Sequence, residues 1–141
     1  MSILNQLTVV DLSRGRCGAY AVAQLADFGA TVMRPCPAPD TPAQQALHWG
    51  VRLLPADTPL DSLLPTADVL VAERDVLPAH LDENALRHTY PKLICALIRE
   101  DGESGGPLAE AASGMMDMTG FPGGEPTLSG WGAAECFAGV S

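Results

Sequence analysis

The residues best placed to do chemistry in this sequence fall at two points. At the first, Ser13-Arg14-Gly15-Arg16 follows an apolar run ending in Asp11-Leu12. Serine and glycine favour a tight turn, and Ser13 is suited to capping backbone N–H groups there. The free N–H groups and dipole of a helix starting just beyond would favour an anion, with Arg14 as its side-chain contact. Arg16 is read as an exposed loop arginine. The second point is Glu110, between Ala109 and Ala111. A carboxylate could act as an acid, base or nucleophile, but a glutamate on such a helix is ordinarily a solvated surface charge. The loop Gly102 to Gly106 has the glycines of an anion nest, but Glu100, Asp101 and Glu103 would repel phosphate. His48, His80 and His88 stand apart and are read as structural. Cys17, Cys36, Cys95 and Cys136 lack metal-ligand spacing and are too scattered for a disulfide framework, so they are read as reduced thiols and no metal site is assigned.

The elements that must position these residues follow from hydrophobic periodicity. Leu7 to Leu12 is apolar almost throughout, as a parallel strand buried on both faces would be. Val22, Leu25, Ala26 and Gly29 recur at helical spacing, which predicts a helix over Ala19 to Phe28 closed by Gly29, and Ala30 to Met33 starts a second strand. This is a βαβ unit, whose right-handed crossover sets the two strands side by side. Proline-rich Pro35 to Pro42 reads as a rigid surface loop. Trp49 to Leu54 is a third strand and Leu60 to Leu64 a short helix or turn. Asp68 to Ala72 and Leu93 to Ile98 read as buried strands on either side of a helical stretch, Asp82 to His88. Pro107 to Met118 reads as one helix, Phe121 to Gly130 as a connection, and Gly132 to Ser141 as the start of an amphipathic helix. The alternation predicts an α/β domain with an open, mostly parallel Rossmann-like sheet flanked by helices.

Composition narrows the function classes. The chain has 141 residues, 47% of them hydrophobic, which is one domain with enough apolar mass for a core. Its net charge of −9, with Lys92 the only lysine, argues against a nucleic-acid surface, because phosphate backbones require clustered positive charge. The N-terminal residues lack a basic leader and no apolar run approaches membrane-spanning length, so a soluble, cytoplasmic protein with no membrane partner is expected.

Val9-Val10-Asp11-Leu12-Ser13-Arg14, Gly18-Ala19-Tyr20-Ala21 and Leu25-Ala26-Asp27-Phe28-Gly29-Ala30-Thr31-Val32 resemble the opening of the class III coenzyme A transferases. That family includes formyl-CoA transferase, carnitine-CoA transferase and α-methylacyl-CoA racemase. Later blocks fall in the family's order: Ala67 to Val71, Tyr90-Pro91-Lys92-Leu93-Ile94-Cys95, Gly106-Pro107-Leu108-Ala109, Ala112-Ser113-Gly114-Met115-Met116, Thr119-Gly120 and Gly124-Glu125-Pro126. The resemblance spans nearly the whole chain, residues 1–141. It implies a single N-terminal domain of a longer protein, with the second domain and a later active-site loop missing and an interlocked dimer as the family's assembly. A homo-oligomer, or a partner supplying the missing part, is therefore expected.

In the family an aspartate in a Gly-Tyr-Asp or Gly-His-Asp motif attacks the acyl-CoA thioester. Here Ala109-Glu110-Ala111 joins the flanking blocks directly, as though the motif's segment were deleted. No catalytic residue is carried over, and Glu110 is the sole candidate. The resemblance implies coenzyme A or acyl-CoA as ligand, with no covalently bound cofactor, and assigns Ser13, Arg14 and Arg74 to its phosphates. Arg74 is what remains of an Asn-Phe-Arg-Pro-Gly motif; Glu73 and Asp75 beside it weaken its pull on phosphate, and an exposed salt-bridging arginine is the alternative. His48 to Leu53 keeps only Gly50 and Arg52 of another motif and loses a CoA-contacting lysine. Two functions follow. One is an acyl-CoA-handling transferase or racemase domain, active within a longer chain or with a partner. The other is a non-catalytic, degenerate relative serving as a CoA-binding, interaction or scaffold module.

Overall fold

The computed structural model describes residues 2–36, 42–99 and 105–141. Five parallel strands, β1 (Thr8–Leu12), β2 (Thr31–Cys36), β3 (Arg52–Pro55), β4 (Val69–Glu73) and β5 (Ile94–Ile98), form one sheet in the order β3-β2-β1-β4-β5. The expected βαβ unit is present: Thr8 pairs with Thr31 and Val10 with Met33 across β1 and β2, joined by α1 (Arg16–Asp27). Gly29, at φ +96°, ends α1 as its pattern requires. Its N–H bonds to the Ala26 carbonyl and that of Ala30 to the Leu25 carbonyl, the paired bonds of a glycine C-cap.

Alternation along the strands sends side chains into two cores. Val9, Val32 and Val71 pack with Val22 of α1 on one face. Val10, Leu70 and Ala72 pack on the other against Leu63 and Leu64, from α3 (Leu60–Leu63) and the 3₁₀ turn after it, and against Leu86 of α4 (Glu83–Thr89). Asp82 caps α4 by accepting from the Ala85 N–H at 2.8 Å. With both faces covered, the central strands are the continuous apolar runs of a buried parallel sheet.

Several elements depart from expectation. Leu93 to Ile98 was expected to be buried, but β5 is the edge strand of the sheet among the described residues, with Ile94 63% exposed. Pro42–Leu47 forms a helix, α2, where the proline pattern indicated the end of a loop. Residues 37–41 and 100–104, including Glu100, Asp101, Glu103 and most of the glycine loop, lie outside the described residues. The helix expected over Pro107 to Met118 is two, α5 (Gly105–Ala112) and α6 (Met115–Met118), interrupted at Gly114 with φ +77°. The last helix, α7 (Ala133–Val140), packs along α1. It does so at Gly139, where a Cβ would lie 2.5 Å from the Cys17 carbonyl oxygen. Among the described residues no helix is long and apolar enough to cross a membrane.

Candidate functional site

The chain leaves β3 at one edge and returns to add β4 on the far side of β1. The connections therefore diverge between β1 and β4, where open α/β sheets form a crevice at the carboxyl ends of their strands. A cleft of about 940 Å³ lies there, lined by Arg14 and Gly15 after β1, Glu73 to Asp75 at the end of β4, and Ile98 and Arg99 at the end of β5. Arg14 and Arg74, 60 positions apart in the sequence, are thus brought to one cleft. Both are exposed, and among the described residues neither pairs with a carboxylate. Arg99 adds a third guanidinium, 3.8 Å from Glu83.

Ser13 has a different place. Its side chain is enclosed beneath Gly18, where a Cβ would come within 2.2 Å of the Ser13 Cβ, and α1 has no side-chain cap. It belongs instead to a buried group under the turn. Asp11 accepts the Ser13 N–H at 2.8 Å and pairs with Arg34 Nη1 at 2.7 Å, and Ser13 Oγ lies 3.5 Å from the same nitrogen. Ser13 supports the turn and does not line the cleft. Arg16, expected in the loop, is the first residue of α1 and faces Glu135 of α7 at 3.8 Å.

Glu73 was not singled out as a site residue, yet it determines the chemistry of the turn. Buried at the end of β4, its carboxylate accepts the Arg14 N–H at 2.5 Å and the Gly15 N–H at 2.8 Å. Two backbone donors of the turn into α1, those of Arg14 and Gly15, are therefore held by the chain's own carboxylate. The available signal was an acid directly closing an apolar strand, as Asp11 is an acid within one.

Glu110 is not a solvated surface charge. It is 2% exposed, and it accepts the Ser129 N–H at 2.9 Å and the Ser129 hydroxyl at 2.6 Å. The bonds from Ser129, with smaller contributions from the N–H groups of Ala133 and Ala134 at the start of α7, hold its carboxyl below the usual glutamate range. Both its oxygens are thus bonded to the segment leading into α7, and Glu110 is not among the residues lining the cleft.

A second, apolar pocket of about 310 Å³ adjoins the cleft, sharing Ile98 and Arg99 with it and lined otherwise by α1, α5 and α7 through Cys17, Leu108, Ala109, Ala112, Ala134 and Ala138 among others. The site thus has a polar, arginine-bearing mouth beside an apolar recess. Among the described residues no cluster of three histidine, cysteine or acidic side chains is placed to hold a metal.

The model of CoA-transferase family III matches residues 56–141. A succinate–glutarate CoA-transferase of Agrobacterium fabrum is 32% identical over 177 residues, covering 97% of this chain and 44% of that protein. That aligned stretch exceeds the 141 residues of this chain, so the relative carries residues that face gaps here. A CaiB/BaiF family protein of Brucella suis superposes with a TM-score of 0.76 at 25% identity, over 99% of this chain and 46% of that one. A hypothetical protein of Mycobacterium tuberculosis has the same fold, with a TM-score of 0.75 at 21% identity over 99% and 48% of the two chains. The chain spans less than half the length of these relatives.

Proposed function

The chain belongs to CoA-transferase family III, and from that premise we propose that it handles acyl-CoA as one part of a larger catalytic unit. The observation that carries the reading is the junction of the cleft and the apolar recess at Ile98 and Arg99. Arg14 and Arg74 donate to the phosphates of coenzyme A at the strand ends. Ile98 and the small residues of α5 and α7 take the less polar end of the ligand and exclude water from it. Glu73 and Asp75 beside the arginines weaken this grip.

Transfer also needs a carboxylate to attack the thioester carbon and expel the CoA thiolate. Glu110 is committed to Ser129 and α7, so the attacking group comes from a longer chain or from a partner subunit. The committed state of Glu110 equally favours a second reading, a non-catalytic relative that retains the fold as a CoA-binding or interaction module.

Calorimetric titration with coenzyme A tests the shared core of both. Binding in the high-micromolar range is expected, and Arg14→Ala or Arg74→Ala should each weaken it about tenfold or more, one charge-assisted hydrogen bond being worth roughly 1.5–3 kcal/mol. Binding that neither substitution changes would place the phosphates elsewhere. Adding the missing half of a relative separates the readings: a covalent adduct appearing only in the mixture supports catalysis by the assembled unit, and its absence supports the module.

A further inference from the structure

We infer that Glu73 is the internal anion of this cleft, a positioning and specificity residue that denies the Arg14 and Gly15 N–H groups of the β1–α1 turn to anionic ligands and leaves such ligands to the guanidinium rim. The buried carboxylate engages two successive N–H groups, Arg14 at 2.5 Å and Gly15 at 2.8 Å, from a strand adjacent to β1. Being tethered by β4, it competes with any free anion at a high effective concentration. Its two oxygens satisfy both donors, so a phosphate reaching for these two amides must first displace a carboxylate already bonded to them. The side chains of Arg14, Arg74 and Arg99 then recognise a ligand by its charge at the rim, with these two amides closed to it. Clamping both N–H groups also fixes the backbone from which the Arg14 side chain leaves. The inference rests on the cleft being an anion site, as proposed above, but not on coenzyme A being the anion.

Inorganic pyrophosphate is the probe, read by calorimetry and by the amide NMR signals of Arg14 and Gly15. In the wild-type chain pyrophosphate should leave those two amides in place. In Glu73→Ala it should shift both and bind about tenfold tighter or more, as the freed donors take it up. Asp75→Asn removes a charge of the same sign from the same cleft and should give a smaller gain with the two amides unmoved. If Glu73→Ala does not fold, Glu73→Gln, which keeps the shape and can satisfy only one donor through its carbonyl, should give the same shifts with a smaller gain. Wild-type amides that shift with pyrophosphate, a Glu73 variant that gains nothing, or an Asp75→Asn gain equal to that of Glu73→Ala each overturn the inference. Coenzyme A titrated in parallel keeps the two proposals apart: a Glu73→Ala chain that gains pyrophosphate while no form binds coenzyme A sustains this inference and removes the reading above.

Discussion

Arg34 on β2 and Asp11 on β1 meet across the sheet, Nη1 to Oδ2 at 2.7 Å, with the carboxylate fully enclosed. The second Asp11 oxygen takes the Ser13 N–H, so one buried pair joins two strands and also sets the turn that carries Arg14. Arg34 Nε finds no partner among the described residues, and Nη1 also lies 3.5 Å from the Ser13 hydroxyl.

Arg34→Met should therefore lower stability by about 3–5 kcal/mol, because it strands a buried carboxylate, whereas Asp11→Asn combined with Arg34→Met should recover most of the loss. Urea unfolding of the single and double variants measures this. Equal midpoints for the single and double variants would show the pair to be dispensable.

Glu110 should make the protein sensitive to acid. Its carboxyl is held below the ordinary glutamate range, so its contribution is fully present above the unfolded-state pKa and is lost as pH falls through the lowered folded-state value. Glu110→Gln should lower the unfolding midpoint at neutral pH and flatten its fall on acidification. A variant with the wild-type pH profile would argue against the Ser129 contact.

Gly139→Ala places a methyl against backbone, 2.5 Å from the Cys17 carbonyl oxygen and 3.2 Å from the Ala21 nitrogen. Overpacking of this kind costs about 1–3 kcal/mol, more than the roughly 0.5–1 kcal/mol that alanine gains over glycine in a helix. A drop of several degrees in Tm is expected, about 2–4 °C for each kcal/mol in a chain of this size. A rise would mean that α7 sits less closely on α1.

Self-association is expected for the chain by itself. Met118, Phe121, Trp131, Phe137 and Val140 are all more than half exposed along its C-terminal segments, and apolar surface gathered in this way ordinarily marks an interface. Light scattering across a concentration series should show mass rising with concentration. A monodisperse monomer throughout the series would refute this.

The chain alone should transfer no CoA. Incubated with acyl-CoA donors and carboxylate acceptors, it should form neither a new thioester nor a covalent adduct detectable by mass spectrometry, since Glu110 is occupied. Transfer that disappears in Glu110→Gln would assign the nucleophile to that residue after all.

The sequence by itself determined the βαβ unit, the parallel α/β class and the family. These depend on short-range patterns: apolar runs that can only be buried strands, a 3.6-residue repeat in α1, and Gly29 where the chain must turn left-handed. It also singled out Arg14 and Arg74, which the fold sets on one cleft because strand ends are where loops converge. Only the tertiary structure decided which groups meet there. The order of the strands sets β4 beside β1, and that adjacency alone carries the Glu73 carboxylate to N–H groups 58 and 59 residues away. Glu110 likewise turned from an expected surface charge into a buried strut because Ser129, 19 residues later, folds back over it. β5 became an exposed edge because, among the described residues, no strand pairs beyond it. Local periodicity records which face of an element is buried; it carries no record of which distant donor an acid on that element will find, because register and strand order fix that meeting only after the sheet has assembled.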